Sequence, residues 1–167
     1  MVERPRPVEP YQTQVTSGCG PSVALMVLRA YGMRSTEQIL ANEMRTTAEN
    51  GTNIEELRKC LWRRKFKTYE RCFADWDDLY KARNTTDAPI IIEWYDDRDY
   101  DFHELPTDNP DPCSHYSLVK SMTAFTITLC DPAFGKDLTF SRDWWEKRWT
   151  GRSDSDNDPG WFMVVDR

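Results

Sequence analysis

The sequence is short of histidine, with only His103 and His115 in 167 residues. Any chemistry that needs a base near neutral pH must therefore use one of these two. The sequence also lacks an apolar run approaching the ~20 residues that span a bilayer, which excludes a helical membrane span. The first ten residues, MVERPRPVEP, contain no apolar core of a secretory signal and read as a proline-rich, extended lead-in. Basic charge is in deficit: 22 Lys and Arg against 28 Asp and Glu leave a net −6, so nucleic acid is not the expected partner. The five cysteines lack the paired C-x-x-C spacing of a structural zinc site. No metal or cofactor is expected. Reduced thiols and a cytoplasmic setting are the expectation.

What the sequence does have is centred on Gln14-Val-Thr-Ser-Gly-Cys19-Gly-Pro-Ser-Val-Ala-Leu-Met-Val-Leu-Arg-Ala-Tyr31-Gly32. Val23 to Leu28 are all apolar, which predicts a helix buried on every side. Pro21 suits a first helical turn and Gly32 a position just past the end, so a central helix is predicted over about 21–31. Cys19 then stands at its N-terminal mouth. The free N–H groups and dipole of a helix start favour negative charge, and the thiolate is the nucleophilic form of cysteine. Gly18 and Gly20 leave room for a substrate backbone to approach. Taken alone, the segment also suits a buried structural cysteine.

Further helices are expected from the capping box Ser35-Thr-Glu-Gln38, from Asn53 with Glu56, and from Asp75 with Asp78. Between the last two, a basic stretch reads as a solvated helix face followed by an edge strand. The pattern then changes to strands at Pro89–Tyr95, His115–Met122 and Ala124–Asp131. Phe125, Ile127 and Leu129 alternate with polar residues, as on a strand with one buried face. A turn at Asp131–Gly135, a short strand at Leu138–Phe140, a helix carrying Trp144, Trp145 and Trp149, and a closing strand at Trp161–Val165 complete the chain. Helices first and strands after imply an α+β fold with an antiparallel sheet. Residues 11–167 form one domain behind the lead-in of residues 1–10, with no repeat.

His115 begins one strand and Asp131 ends the next. A hairpin at about Ser121–Ala124 would bring these two strand ends together. A carboxylate beside an imidazole fixes its tautomer and orientation. Gln14, on the loop entering the helix, could join the Cys19 N–H in holding an oxyanion, with Gln12 a weaker candidate.

The ordered set Gln14…Cys19-Gly-Pro-Ser, Tyr31-Gly32, Gly51-Thr52, His115-Tyr-Ser-Leu-Val119, Asp131-Pro-Ala-Phe-Gly135 and Phe140…Trp149 resembles the bacteriocin-processing cysteine peptidases. These belong to the papain-like group and cleave double-glycine leader peptides. The resemblance covers roughly residues 11–166. It implies a papain-like fold, with the nucleophile at the start of a central helix packed on a C-terminal sheet. It also implies Cys19 as nucleophile, His115 as general base and acid, Asp131 as orienting residue and Gln14 as oxyanion donor. Gly18 stands where many members carry aspartate, and no transporter domain follows, so a transporter or substrate-delivery partner would be a separate chain.

The expected activity is hydrolysis of a peptide or isopeptide bond in a peptide or protein substrate. An acyl transferase of the same fold and a catalytically idle peptide-binding domain are alternatives. The acidic segment from Tyr95 to Ser114 is expected either to wall the cleft and favour basic substrates or to be a solvated loop. Cys113 is a candidate disulfide partner for Cys19 under oxidation.

Overall fold

A computed structural model describes residues 4–96, 113–150 and 159–167. Its elements follow the order α1 (Cys19–Ala30), α2 (Glu37–Glu43), α3 (Ile54–Arg63), β1 (Lys67–Arg71), α4 (Trp76–Thr85), β2 (Ile90–Asp96), β3 (Cys113–Met122), β4 (Thr126–Asp131), β5 (Lys136–Ser141), α5 (Arg142–Thr150) and β6 (Phe162–Asp166). The strands form one six-stranded sheet in the order β1-β6-β2-β3-β4-β5. Every neighbouring pair is antiparallel. The fold is α+β.

Local sequence accounts for most element boundaries. Asp75 and Asp78 make a reciprocal capping box that starts α4. Asn53 caps α3 by accepting the Glu55 N–H. The cap of α2 is Thr36, not Ser35; its hydroxyl accepts the Ile39 N–H. That frees Glu37 at the first helical position for a different task.

Successive strand residues point to opposite faces, and each face carries its own core. On one face, Ile91, Tyr116, Leu118, Cys130, Met163 and Val165 pack against α1, with Leu40 of α2, Met44 just past its end, and Leu57 and Leu61 of α3 in the same cluster. Helix α1 lies between the sheet and the other two helices, so Val23 through Leu28 are buried all round. On the other face, Ile90, Ile92, Trp94, Val119, Ile127 and Leu129 pack against Trp76, Trp145 and Trp149 of α4 and α5.

Two expectations are corrected. The last strand does not close the sheet at an edge; β6 lies inside it, between β1 and β2. Its residues explain this: Met163 and Val165 face one core while Phe162 and Val164 face the other. Phe125 does not belong to the buried stripe of β4. It is 78% exposed in the tight connection from β3, where Thr123 caps the turn by accepting the N–H groups of Phe125 and Thr126.

Candidate active site

Three elements meet at one end of the sheet. β3 begins two residues before His115, and β4 ends at Asp131. The two strands are antiparallel, with Leu118 opposite Cys130. One step further along that register sets Ser117 opposite Asp131, so His115 and Asp131 are diagonal neighbours on one face. His115 Nε2 lies 3.1 Å from Asp131 Oδ1, and both residues are buried. The same Oδ1 accepts the Ala133 N–H at 2.8 Å, within the turn that follows.

Trp94 of β2 is the register partner of His115 and packs its ring edge-on at 5.8 Å. The indole is fixed in turn by its N–H to Ser117 Oγ, at 3.1 Å, and by Phe140 and Trp144. Nothing in the sequence beyond its β-strand pattern marked Trp94 as a site residue. Only the register of β2 against β3 reveals it.

Nε2 is engaged by Asp131, and the Cys19 sulfur is near enough to be among the groups that raise the His115 pKa. Burial alone would lower the pKa of His115. The Asp131 carboxylate, through charge and hydrogen bond, and the Cys19 sulfur outweigh burial and raise it well above the ordinary 6.5. The geometry therefore favours an imidazolium between a carboxylate and a sulfur.

Cys19 is the first residue of α1 and is half-buried. No side chain caps this helix, and its first turn carries no acidic residue. Pro21 has no N–H to offer, so the Cys19 and Gly20 N–H groups are the uncapped donors at the helix mouth.

The glycines flanking Cys19 are also required by the protein's own packing. A Cβ at Gly18 would lie 2.5–2.6 Å from Thr13 Oγ1, Glu37 Oε1 and the Val15 carbonyl. A Cβ at Gly20 would lie 2.5 Å from Thr52, which a hydroxyl contact of 2.7 Å ties to Thr46. Thr52 is thus a packing partner of α1.

Gln14 is on the loop entering α1, as expected, and is exposed. Its side-chain amide donates to the Gln12 carbonyl at 3.1 Å, while its backbone N–H donates to Glu37 Oε2 at 2.8 Å. The structure brings Cys19, His115 and Asp131 together but leaves the Gln14 amide turned toward Gln12. Residues 97–112 of the acidic segment, including His103, lie outside the described residues, as does the Cys113 side chain, so the cleft-wall and disulfide expectations do too. Among the described residues, no group of three His, Cys, Asp or Glu side chains could hold a metal. No described helix is long and apolar enough to cross a membrane.

No family profile matches the chain, and no curated protein is similar to it by sequence. Solved structures are similar in fold. The peptidase domain of Streptococcus ComA, a bifunctional ABC transporter of a quorum-sensing pathway, superposes with a TM-score of 0.69 at 19% identity, covering 95% of this chain and 98% of that one. The fold is that of the C39 peptidase domains. A double glycine motif protease from an AMS/PCAT transporter, solved with its leader peptide, gives 0.65 at 17% identity over 99% and 96% of the two chains. A putative C39-like peptidase from Bacillus anthracis gives 0.63 at 15% over 96% and 94%. The C39 fold thus accounts for nearly the whole chain.

Proposed function

We propose that the protein is a papain-like thiol peptidase that hydrolyses a peptide or isopeptide bond. The observation that carries this reading is the buried His115–Asp131 pair, with Cys19 at the mouth of an uncapped helix acting on the same imidazole. In the proposed sequence, Cys19 is present as thiolate and His115 as imidazolium. The thiolate attacks the scissile carbonyl, and the carbonyl π electrons move to oxygen. The oxyanion is held by the Cys19 N–H and by Gln14, whose amide must first leave the Gln12 carbonyl. His115 gives its proton to the leaving amine as the C–N bond breaks, leaving a thioester. Water then attacks the thioester while His115 takes its proton, and the acid departs as the thiol is restored. Asp131 keeps the imidazole oriented throughout. The chemistry needs no metal or cofactor.

A leader peptide, as bound by the AMS/PCAT protease, is the first substrate class to test. A cytoplasmic setting and a transporter or substrate-delivery partner accompany that reading. The decisive experiment incubates the protein with a diverse peptide library and maps cut sites by mass spectrometry. Cuts that vanish in Cys19→Ala support the proposal. An intact library, or cuts that persist in Cys19→Ala, overturns it.

A further inference from the structure

Glu37 is a carboxylate with 4% exposure, placed on α2 at the first helical position. It receives five hydrogen bonds from residues around the nucleophile. Oε1 accepts from Thr13 Oγ1 at 2.5 Å, from Ser22 Oγ at 3.0 Å and from the Val15 N–H at 3.3 Å. Oε2 accepts from the Gln14 N–H at 2.8 Å and from Tyr11 Oη at 3.0 Å. The Gln14 and Val15 N–H groups can only donate, one to each oxygen, so the side chain at 37 must accept at both; the Tyr11, Thr13 and Ser22 hydroxyls, of which Thr13 Oγ1 also lies 3.0 Å from the Val15 carbonyl, complete the set. Four of the five lie on the loop 11–15 that leads into α1, and the fifth is Ser22, one turn past Cys19.

The same carboxylate occupies the space that a side chain at position 18 would need. Gly18, directly before Cys19, is therefore shaped around Glu37. On its other side the loop is tied to the His115–Asp131 half of the site. The Thr13 N–H donates to the Pro132 carbonyl at 2.8 Å, and Gly135 packs against Gln12. Glu37 thus fixes a strap whose far edge rests on the turn that follows Asp131.

We propose that Glu37 is a positioning residue for catalysis: it sets the backbone of Gln14, and with it the oxyanion donor, relative to Cys19. The inference rests on the thiol-peptidase reading. It predicts a particular split. Loss of the acceptor slows formation of a tetrahedral oxyanion, because a donor misplaced by about 1 Å costs up to ~10²-fold. Alkylation of the same thiol forms no oxyanion and depends on Cys19 and His115 alone.

The test compares two probes on the full chain. p-Nitrophenyl acetate acylates Cys19 with release of p-nitrophenolate, read as a burst after subtraction of the Cys19→Ala background. Iodoacetamide alkylates Cys19 directly, read by peptide mapping. In Glu37→Gln, which places an amide N–H against donors, the acylation rate should fall roughly 10–100-fold, while Cys19 alkylation stays near the wild-type rate. Thr13→Val, which deletes one of the loop's bonds to Glu37, should shift the ratio the same way and serves if Glu37→Gln does not fold. Equal loss of both rates, or loss of melting temperature with both rates intact, overturns the positioning role. Absence of a Cys19-dependent burst in wild type instead removes the peptidase reading, and the role of Glu37 with it.

Discussion

Cys19, Cys60 and Cys130 are three thiols in three environments. Burial and the Glu43 carboxylate, against the pull of Arg64, push the Cys60 thiol up to about 11. Burial and Asp137 push Cys130 up to about 12. Neither ionises near neutrality, and neither is open to reagent. Cys19 has the His115 ring beside it and an uncapped helix start behind it. Cys72 is exposed, so access alone does not single out Cys19. The neighbouring imidazolium does: at pH 6 a cation beside a thiol favours the thiolate, the reactive form of cysteine. Iodoacetamide at pH 6, followed by peptide mapping, should label Cys19 ahead of Cys72 and leave Cys60 and Cys130 unmodified. Cys72 reacting first would contradict the ion pair. His115 makes a second expectation. Its pKa is raised chiefly by Asp131 against the effect of burial, so the alkaline limb of kcat/KM should lie well above pH 6.5. In Asp131→Asn the amide no longer supplies charge, and that limb should move to lower pH along with a lower rate. His115→Ala should abolish turnover.

At the scale of elements, the sequence was most legible where a signal is local. The Asp75–Asp78 box, the Asn53 cap, the apolar run of α1 and the β3–β4 hairpin are each written within a few residues. The hairpin is what made His115 and Asp131 readable as a pair before any coordinates. Glu37 was not readable in this way, because it sits inside a capping signal and its five partners lie 15 to 26 residues distant. Trp94 depends on pairing across the segment between β2 and β3, and the insertion of β6 between β1 and β2 depends on pairing over a still longer interval. Neither leaves a local mark. The Gly20–Thr52 contact belongs to the same non-local class and can be tested directly. In Gly20→Ala, the new Cβ would meet Thr52 at 2.5 Å, and the helix bearing Cys19 or the loop bearing Thr52 must shift. Melting temperature and turnover should both fall. Thr52→Gly in the same chain should recover part of the melting temperature, a coupling that two independent sites would not show.

The whole molecule carries opposing titrations that set where it is most stable. Glu70 joins β1 to α3 and to the start of β6, accepting from Arg58 and from the Trp161 indole. Burial pushes its carboxyl up, but the Arg58 and Trp161 hydrogen bonds and the Arg58 charge outweigh this and hold it below the usual 4.5. Glu43 is likewise held low, mainly by its bond to Arg64, with burial opposing. A carboxyl depressed in the folded state stabilises fully above its unfolded value. That contribution is lost as pH falls from 4.5 through the folded value. His115 has the opposite sign. Its folded value is raised, so its contribution is complete below 6.5 and is lost as pH rises from there through the folded value. Taken without Cys19, both sets act in full only between about 4.5 and 6.5, so in Cys19→Ala, where no thiolate adds a titration of the opposite sign, unfolding free energy against pH should peak in that window. The alkaline fall should flatten in Asp131→Asn, and the acid fall should flatten in Glu70→Gln, each leaving the other limb in place. Denaturant unfolding of these variants in the Cys19→Ala background, monitored by tryptophan fluorescence across pH 3.5–9, measures both limbs. A profile still rising from pH 6.5 to 9 in Cys19→Ala would contradict a raised His115, since the Asp131-held imidazolium and the alkaline loss of stability have one physical cause.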